Sequence, residues 1–324
     1  MIIASSVIFF VIYLNKNLIA RRLTLFDLPD KKLKIHKKNT PLIGGIVFII
    51  ISGIIIIHLI YAKNFTYIKI LLLASFISLV GLFDDIYKLK PNFKFFLIAL
   101  IIFIYMIFFP ELKIQSVTFS NNIFIKKFNL ENNNLLSIFV TILCYQLLIN
   151  AFNMTDGHDG ISCLIAITWI VYFYINKNNL DFLPAIIVTL LLFLYFNLKS
   201  KIFLGDSGNY FLSTLFGSLI IFDNNISKNF IAEEIFVLLM LPGIDMMRLF
   251  YQRIINNKNP LIGDRQHLHH LLFFHYNRTK TILIYFLLFI SPIILLYFKI
   301  LSENYIILSF FIIYVSILFA FSKK

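Results

Sequence analysis

The sequence predicts an all-α polytopic membrane protein of about eleven transmembrane helices, with the N-terminus outside and the C-terminus cytoplasmic. Three observations predict it. First, 60 % of the 324 residues are hydrophobic and only 14 % are charged, against roughly 45–50 % and about 25 % in soluble domains. A soluble fold does not hide that much apolar surface, and the same composition excludes collagen, coiled coil, disordered tail and disulfide scaffold. Second, the apolar residues gather in eleven stretches of helical period, near 2–14, 42–61, 67–83, 94–109, 134–149, 161–176, 182–197, 210–222, 231–247, 281–298 and 304–321. Third, Lys and Arg concentrate in alternate loops.

The first stretch has no basic segment before it, and Lys16, Arg21 and Arg22 follow it. That order is expected of an anchor with an outer N-terminus rather than a cleaved signal. Several stretches are shorter than the roughly 20 residues of a full span, and flanking polar residues supply the missing turns. The loops 15–41, 84–94, 150–160, 197–209, 245–280 and 321–324 hold 21 of the 29 Lys and Arg residues. They are therefore assigned to the cytoplasm. The net charge of +13 then faces anionic lipid or a phosphorylated substrate, and no soluble domain exists to read nucleic acid. The polar loop 110–133 is external. In it, Val117-Thr118-Phe119 and Ile123-Phe124-Ile125 flank Ser120-Asn121-Asn122, which predicts a small β-hairpin near 116–127. No repeat and no linker divides the chain, so residues 1–324 form a single integral membrane domain. The two cysteines, Cys144 and Cys163, lie in or beside apolar stretches and indicate no disulfide framework.

The acidic residues separate by side. Nine of eleven aspartates are cytoplasmic on this topology: Asp27, Asp30, Asp84, Asp85, Asp156, Asp159, Asp206, Asp245 and Asp264. All five glutamates fall towards the other side. Orientation depends on Lys and Arg, with little contribution from acids, so the bias points to a shared cytoplasmic site.

Five motifs compose that site. Asp84-Asp85 end the third stretch, where two adjacent carboxylates repel and disfavour the helix C-terminus; a cation or shared proton relieves both. Asn150-Ala-Phe-Asn153-Met-Thr-Asp156-Gly-His-Asp159-Gly160 carries two carboxylates and two carboxamides without a Lys or Arg, which asks for a metal or reads as a polar turn. Asp206, between glycines in Phe203-Leu-Gly-Asp206-Ser-Gly-Asn209, is a candidate ligand or a helix N-cap. In Gly263-Asp-Arg265-Gln-His267-Leu-His269-His270, Arg265 and the histidines suit phosphate oxygens as donors; zinc is the alternative, although the three histidines do not share a helical face. The basic run around His36, from Asp27 to Gly45, is a topology signal or a phosphate site. Asp and Asn oxygens suit magnesium, which keeps waters and bridges phosphate oxygens, so the set reads as phosphoryl transfer beside a bilayer.

At these residues the chain resembles the polyprenyl-phosphate N-acetylhexosamine-1-phosphate transferases, glycosyltransferase family 4. The resemblance covers five ordered motifs from about Asp27 to Leu272. It implies an enzyme of the bacterial inner membrane that moves a sugar-1-phosphate from a UDP-sugar onto undecaprenyl phosphate and releases UMP. The histidine pattern is similar to that of the branch using UDP-N-acetylglucosamine, which primes O-antigen, common-antigen or teichoic-acid linkage synthesis. The peptidoglycan branch, phospho-N-acetylmuramoyl-pentapeptide transferase, has three consecutive histidines, absent here. By motif, the resemblance implies catalytic roles for Asp84 and Asp85 and magnesium (or manganese) at Asn153 and Asp206. It implies nucleotide or sugar-phosphate contacts from Asp156, Asp159, Arg265, His267, His269 and His270. His36 and Lys94 are assigned to the lipid phosphate. His158 and Asn209 depart from the residues usual in the family and bear on sugar specificity. The implied partners are a UDP-N-acetylhexosamine, undecaprenyl phosphate and the lipid bilayer, with no nucleic acid and with room for a homodimer. An ion-coupled transporter is the rival of another class; it predicts acids near mid-span and broken helices in matching halves, whereas these acids sit at span ends.

Overall fold

Each of the eleven apolar stretches is helical, as a backbone in hydrocarbon must be when its N–H and C=O groups have no water to bond. The computed structural model describes residues 1–28, 39–120, 127–156, 160–176, 180–227, 230–259 and 266–322. In chain order the first elements are α1 (Ile2–Leu14) and α2 (Lys16–Arg22), then the paired strands β1 (Phe26–Asp27) and β2 (Thr40–Pro41). The helices α3 (Gly44–Tyr61), α4 (Ile68–Tyr87) and α5 (Pro91–Phe108) follow, then the strands β3 (Ser116–Thr118) and β4 (Lys127–Asn129). The rest are α6 (Asn134–Asn153), α7 (Ile161–Asn176), α8 (Leu183–Asn197), α9 (Gly205–Ser227), α10 (Ala232–Ile255), α11 (Leu268–His275), α12 (Arg278–Tyr297) and α13 (Glu303–Ser322). Local signals set several ends. Pro91 opens α5 at a position whose N–H needs no partner. Asn133 and Asn277 cap α6 and α12, accepting from the N–H of Leu136 and Lys280.

Among the described residues six helices are long and apolar enough to cross a membrane: α3, α4, α5, α6, α12 and α13. A seventh is counted if α1 and α2, bent by 64° at Asn15, form one span. The chain is thus a multi-pass membrane protein, but eleven crossings are more than length and apolarity alone support. The shortfall has two physical causes. The helices α7 and α8 are apolar but only 16 and 15 residues long. The helices α9 and α10 have 23 and 24 residues and carry polar groups that face protein rather than lipid.

The helix α9 is the hub. From Gly205 to Asn224 nearly all of it is buried, against α3, α4, α6 and α7. Small residues allow this approach. Ser78 Oγ donates to the Ser207 carbonyl and Ser207 Oγ to the Ser78 carbonyl, each at 2.8 Å. A Cβ on Gly81 would stand 2.6 Å from Ser207 Cα, so the α4–α9 contact requires glycine there.

The hairpin after α5 differs from its expected register. The strand β3 pairs antiparallel with Lys127–Asn129, Val117 facing Phe128. Ile123-Phe124-Ile125 lies outside the described residues. The strand opposite Val117 comes instead from the polar segment after it, a choice that alternation alone does not reveal.

Candidate active site

Four of the five motifs meet where α4 and α6 end and α5 and α9 begin. The ends coincide because α4, α5 and α6 are consecutive antiparallel neighbours and α9 packs on both α4 and α6. The first motif supplies Asp84 and Asp85 in the last turn of α4, each 7 % exposed. Asp84 Oδ1 accepts the Leu89 N–H at 2.7 Å, and its Oδ2 accepts from Lys94 Nζ at 2.9 Å. Lys94, in the first turn of α5, also reaches Asp206 Oδ2 at 3.1 Å. It is the only cation within ion-pair distance of these carboxylates among the described residues.

Asp85 points elsewhere. Its oxygens accept the N–H groups of Asp206 and Ser207 at 3.1 and 3.2 Å. It therefore satisfies the orphan donors at the start of α9, a capping role exercised from 121 residues away. Gly205, at φ +68°, makes room for it: a Cβ there would lie 2.6 Å from Asp85 Oδ2, and the left-handed backbone itself favours glycine. The capping alternative considered for Asp206 is thus filled by Asp85, and the Asp206 carboxylate is released for other partners.

Those partners form one polar chain. Asn153 Nδ2 donates to Asp206 Oδ1 at 3.2 Å. Asn209 Nδ2 donates to Asn153 Oδ1 at 3.1 Å and to Asp156 Oδ2 at 2.8 Å. Asn153 is the last residue of α6, and Asp156 lies in the exposed turn beyond it. The second and third motifs are therefore joined through Asn209. The fifth motif lies alongside: Leu42 bridges Phe203, whose carbonyl accepts the N–H groups of Ile43 and Gly44 at 3.2 Å. His36 and Asp159 lie outside the described residues.

The cluster is acidic in excess. Among the described residues Asp84 and Asp206 share Lys94, and close carboxylates are stable together only with a shared proton or added positive charge. Asn209 Oδ1 is buried with no hydrogen-bond donor among the described residues, a further oxygen that suits a cation. The set fits magnesium, which takes one or two carboxylates and completes its shell with water and phosphate. It does not resemble an all-protein cage: among the described residues no three His, Cys, Asp or Glu side chains are grouped to hold a metal.

The fourth motif forms a separate cluster. His267 precedes α11 as its N-cap, while His269 and His270 occupy the first turn. Because His267 is outside the helix, the three rings assemble despite their sequence spacing. His267 and His269 stack with centroids 5.5 Å apart, and His269 and His270 lie 4.1 Å apart. Arg265 lies outside the described residues. Asp245 of α10, singled out by no sequence motif, accepts from His267 Nδ1 at 2.8 Å and from Arg248 Nη2 at 2.9 Å. A signal that could have found it is an ionisable residue at the end of an apolar stretch, three residues after Pro242.

An apolar cavity of about 630 Å³ runs between α6, α10 and α13. Trp169, Pro242, Met247 and Phe311 line it, with Arg248 and Tyr314 also on its wall.

The profile of glycosyl transferase family 4 matches residues 67–223, the segment that holds Asp84, Lys94, Asn153, Asp156 and Asp206. The chain is 29 % identical over 314 residues to a probable undecaprenyl-phosphate N-acetylglucosaminyl 1-phosphate transferase of Bacillus subtilis, covering 93 % of this chain and 84 % of that one. It is 27 % identical over 277 residues to the undecaprenyl-phosphate alpha-N-acetylglucosaminyl 1-phosphate transferase of Escherichia coli K12, covering 78 % and 70 %. It is 28 % identical over 232 residues to a phospho-N-acetylmuramoyl-pentapeptide-transferase of Prochlorococcus marinus, covering 63 % and 61 %. Motif order, helical architecture and these matches lead to one assignment: residues 67–223 match glycosyl transferase family 4, and the chain is a phosphoglycosyltransferase.

Proposed function

We propose that the protein transfers N-acetylglucosamine-1-phosphate, or that of a close N-acetylhexosamine, from its UDP-sugar to undecaprenyl phosphate at the cytoplasmic face of the inner membrane, releasing UMP. The product is the lipid-linked sugar on which a cell-surface polysaccharide is begun. The observation that carries this reading is the chain Asp84–Lys94–Asp206–Asn153–Asn209–Asp156 at one end of the helix bundle. It offers oxygens to a divalent cation and one ammonium to a phosphate, beside a bilayer.

Asp206 and Asn153 would hold magnesium, with Asp156 supporting them through Asn209. When bound, magnesium neutralises the donor pyrophosphate and makes UMP a better leaving group. Lys94 draws the acceptor phosphate towards the same place, and Asp84 orients Lys94. An oxygen of the acceptor phosphate attacks the β-phosphorus of the donor. That oxygen is already ionised near neutral pH, so positioning and charge do most of the work. The cavity beside Arg248 suits the isoprenoid tail, being apolar along its length. His267, His269, His270 and Arg265 meet the sugar phosphate as hydrogen-bond donors.

Purified protein with magnesium, undecaprenyl phosphate and UDP-N-acetylglucosamine should release UMP in equal amount to the lipid-linked sugar formed. UDP-N-acetylmuramoyl-pentapeptide should be rejected, because the three consecutive histidines of that branch are missing. His269→Ala or His270→Ala should slow turnover on the order of 10²–10³-fold, as loss of an anion-stabilising donor does. Preference for the pentapeptide donor, or unchanged rates in both variants, rejects the reading of this loop.

The function also commits to a topology of eleven crossings with the 110–133 loop outside. In a protein lacking Cys144 and Cys163, Asn132→Cys should label with an impermeant thiol reagent from outside and Gln266→Cys only after the membrane is opened. Both positions are exposed. The reverse pattern places the acidic cluster on the wrong side for a nucleotide sugar.

A further inference from the structure

The carboxylate of Asp245 is 3 % exposed and receives four donors from three helices and one loop. His267 Nδ1 and Tyr314 OH lie at 2.8 Å, Arg248 Nη2 at 2.9 Å, and the Leu268 N–H 3.2 Å from both oxygens. Tyr314, in α13 and itself 3 % exposed, also accepts from Arg248 Nε at 3.1 Å. Arg248 Nη2 in turn holds the Gln266 carbonyl at 2.6 Å. The backbone on both sides of His267 is thus tied to one buried charge, and the last helix of the chain closes the cage.

We infer that Asp245 and Tyr314 are positioning residues for His267, and that α13 thereby takes part in donor recognition. The inference rests on the reading that the His267–His270 segment meets the donor phosphate. A carboxylate only accepts, so the nitrogen facing Asp245 carries the proton. Nδ1 therefore carries a proton, and Nε2, which bonds to nothing among the described residues, is the nitrogen that faces a ligand; it donates to a phosphate oxygen when the ring is the imidazolium, both of whose nitrogens are N–H groups. Tyr314 acts one bond further out. Its hydroxyl holds Asp245 and Arg248 together, which fixes the angle from which Asp245 meets the imidazole. The family profile stops at residue 223, so nothing in the matched segment requires this tyrosine.

Tyr314→Phe keeps the ring and removes the hydroxyl. Its kcat/KM for UDP-N-acetylglucosamine should fall about tenfold, the worth of one hydrogen bond to a charged group. In a His267→Ala background the same substitution should change kcat/KM less than about twofold, because a positioning residue has nothing left to position. Equal losses in both backgrounds reduce Tyr314 to helix packing. A second measurement needs no turnover. With ¹⁵N-histidine labelling, and the His267 signals identified by their loss in His267→Gln, Nδ1 should be the protonated nitrogen. Asp245→Asn should shift that signal and Tyr314→Phe should shift or broaden it. Signals unmoved in both variants overturn the inference, whereas an inactive wild type with the expected signals overturns only the functional reading.

Discussion

Asp206→Asn removes turnover while leaving the protein in the membrane. The side chain keeps its volume, and its amide oxygen still accepts from Asn153. What disappears is a full negative charge at the junction of Lys94, Asn153 and the proposed cation. Loss of a charged group acting on the transferred phosphoryl is expected to slow release of UMP on the order of 10³-fold or more. Chelation with EDTA should abolish the wild-type rate, and Mg²⁺ or Mn²⁺, both oxygen-preferring ions, should restore it. The start of α9 is capped by Asp85 and not by Asp206, so thermal stability in detergent should change little. Full turnover in EDTA, or an active Asp206→Asn protein, rejects the metal assignment.

Lys94→Met has the second largest expected effect, and its signs are informative. The lysine stands between Asp84 and Asp206 at 2.9 and 3.1 Å. Without it, two close carboxylates lose their shared counter-ion. A site richer in negative charge binds a divalent cation more tightly, so the magnesium concentration for half-maximal rate should fall several-fold, on the order of one hydrogen-bonded charge pair. The same change repels the acceptor phosphate. Its KM should rise, and turnover should drop on the order of 10²–10³-fold. Lys94→Arg should recover part of the acceptor KM, since charge is kept and only geometry is altered. A variant with unchanged acceptor KM and unchanged magnesium requirement would show that Lys94 is a bystander.

Much of the candidate site was legible in the sequence because its residues come in short motifs at the ends of apolar runs. Asp84, Asn153, Asp156 and Asp206 could be grouped before any contact was known. Composition and charge partition place them on one side of a membrane, and side is most of what proximity requires in a bundle. The individual roles were not legible. Asp84 and Asp85 are adjacent and identical in type, yet one holds Lys94 while the other caps α9. Successive helical residues point about 100° apart, so only the positions of α5 and α9 decide which carboxylate meets which. Asp245 stood in no motif, and its partners His267, Arg248 and Tyr314 come from α10, the α11 entrance and α13.

By itself the sequence determined the secondary structure and the membrane character. Both follow from local quantities: apolar content over some twenty residues and backbone groups that must bond within their own helix. Tertiary structure alone decided the pairings. Lys94 joins Asp206 across 112 positions and Tyr314 joins Asp245 across 69. A hydrogen bond forms only within about 3 Å, whereas hydrophobic period says which face of a helix turns inward and not which helix it meets. In this protein small residues make that choice. Gly81 and the Ser78–Ser207 pair let α4 and α9 touch backbone to backbone, and this contact brings the aspartates of α4 to the start of α9.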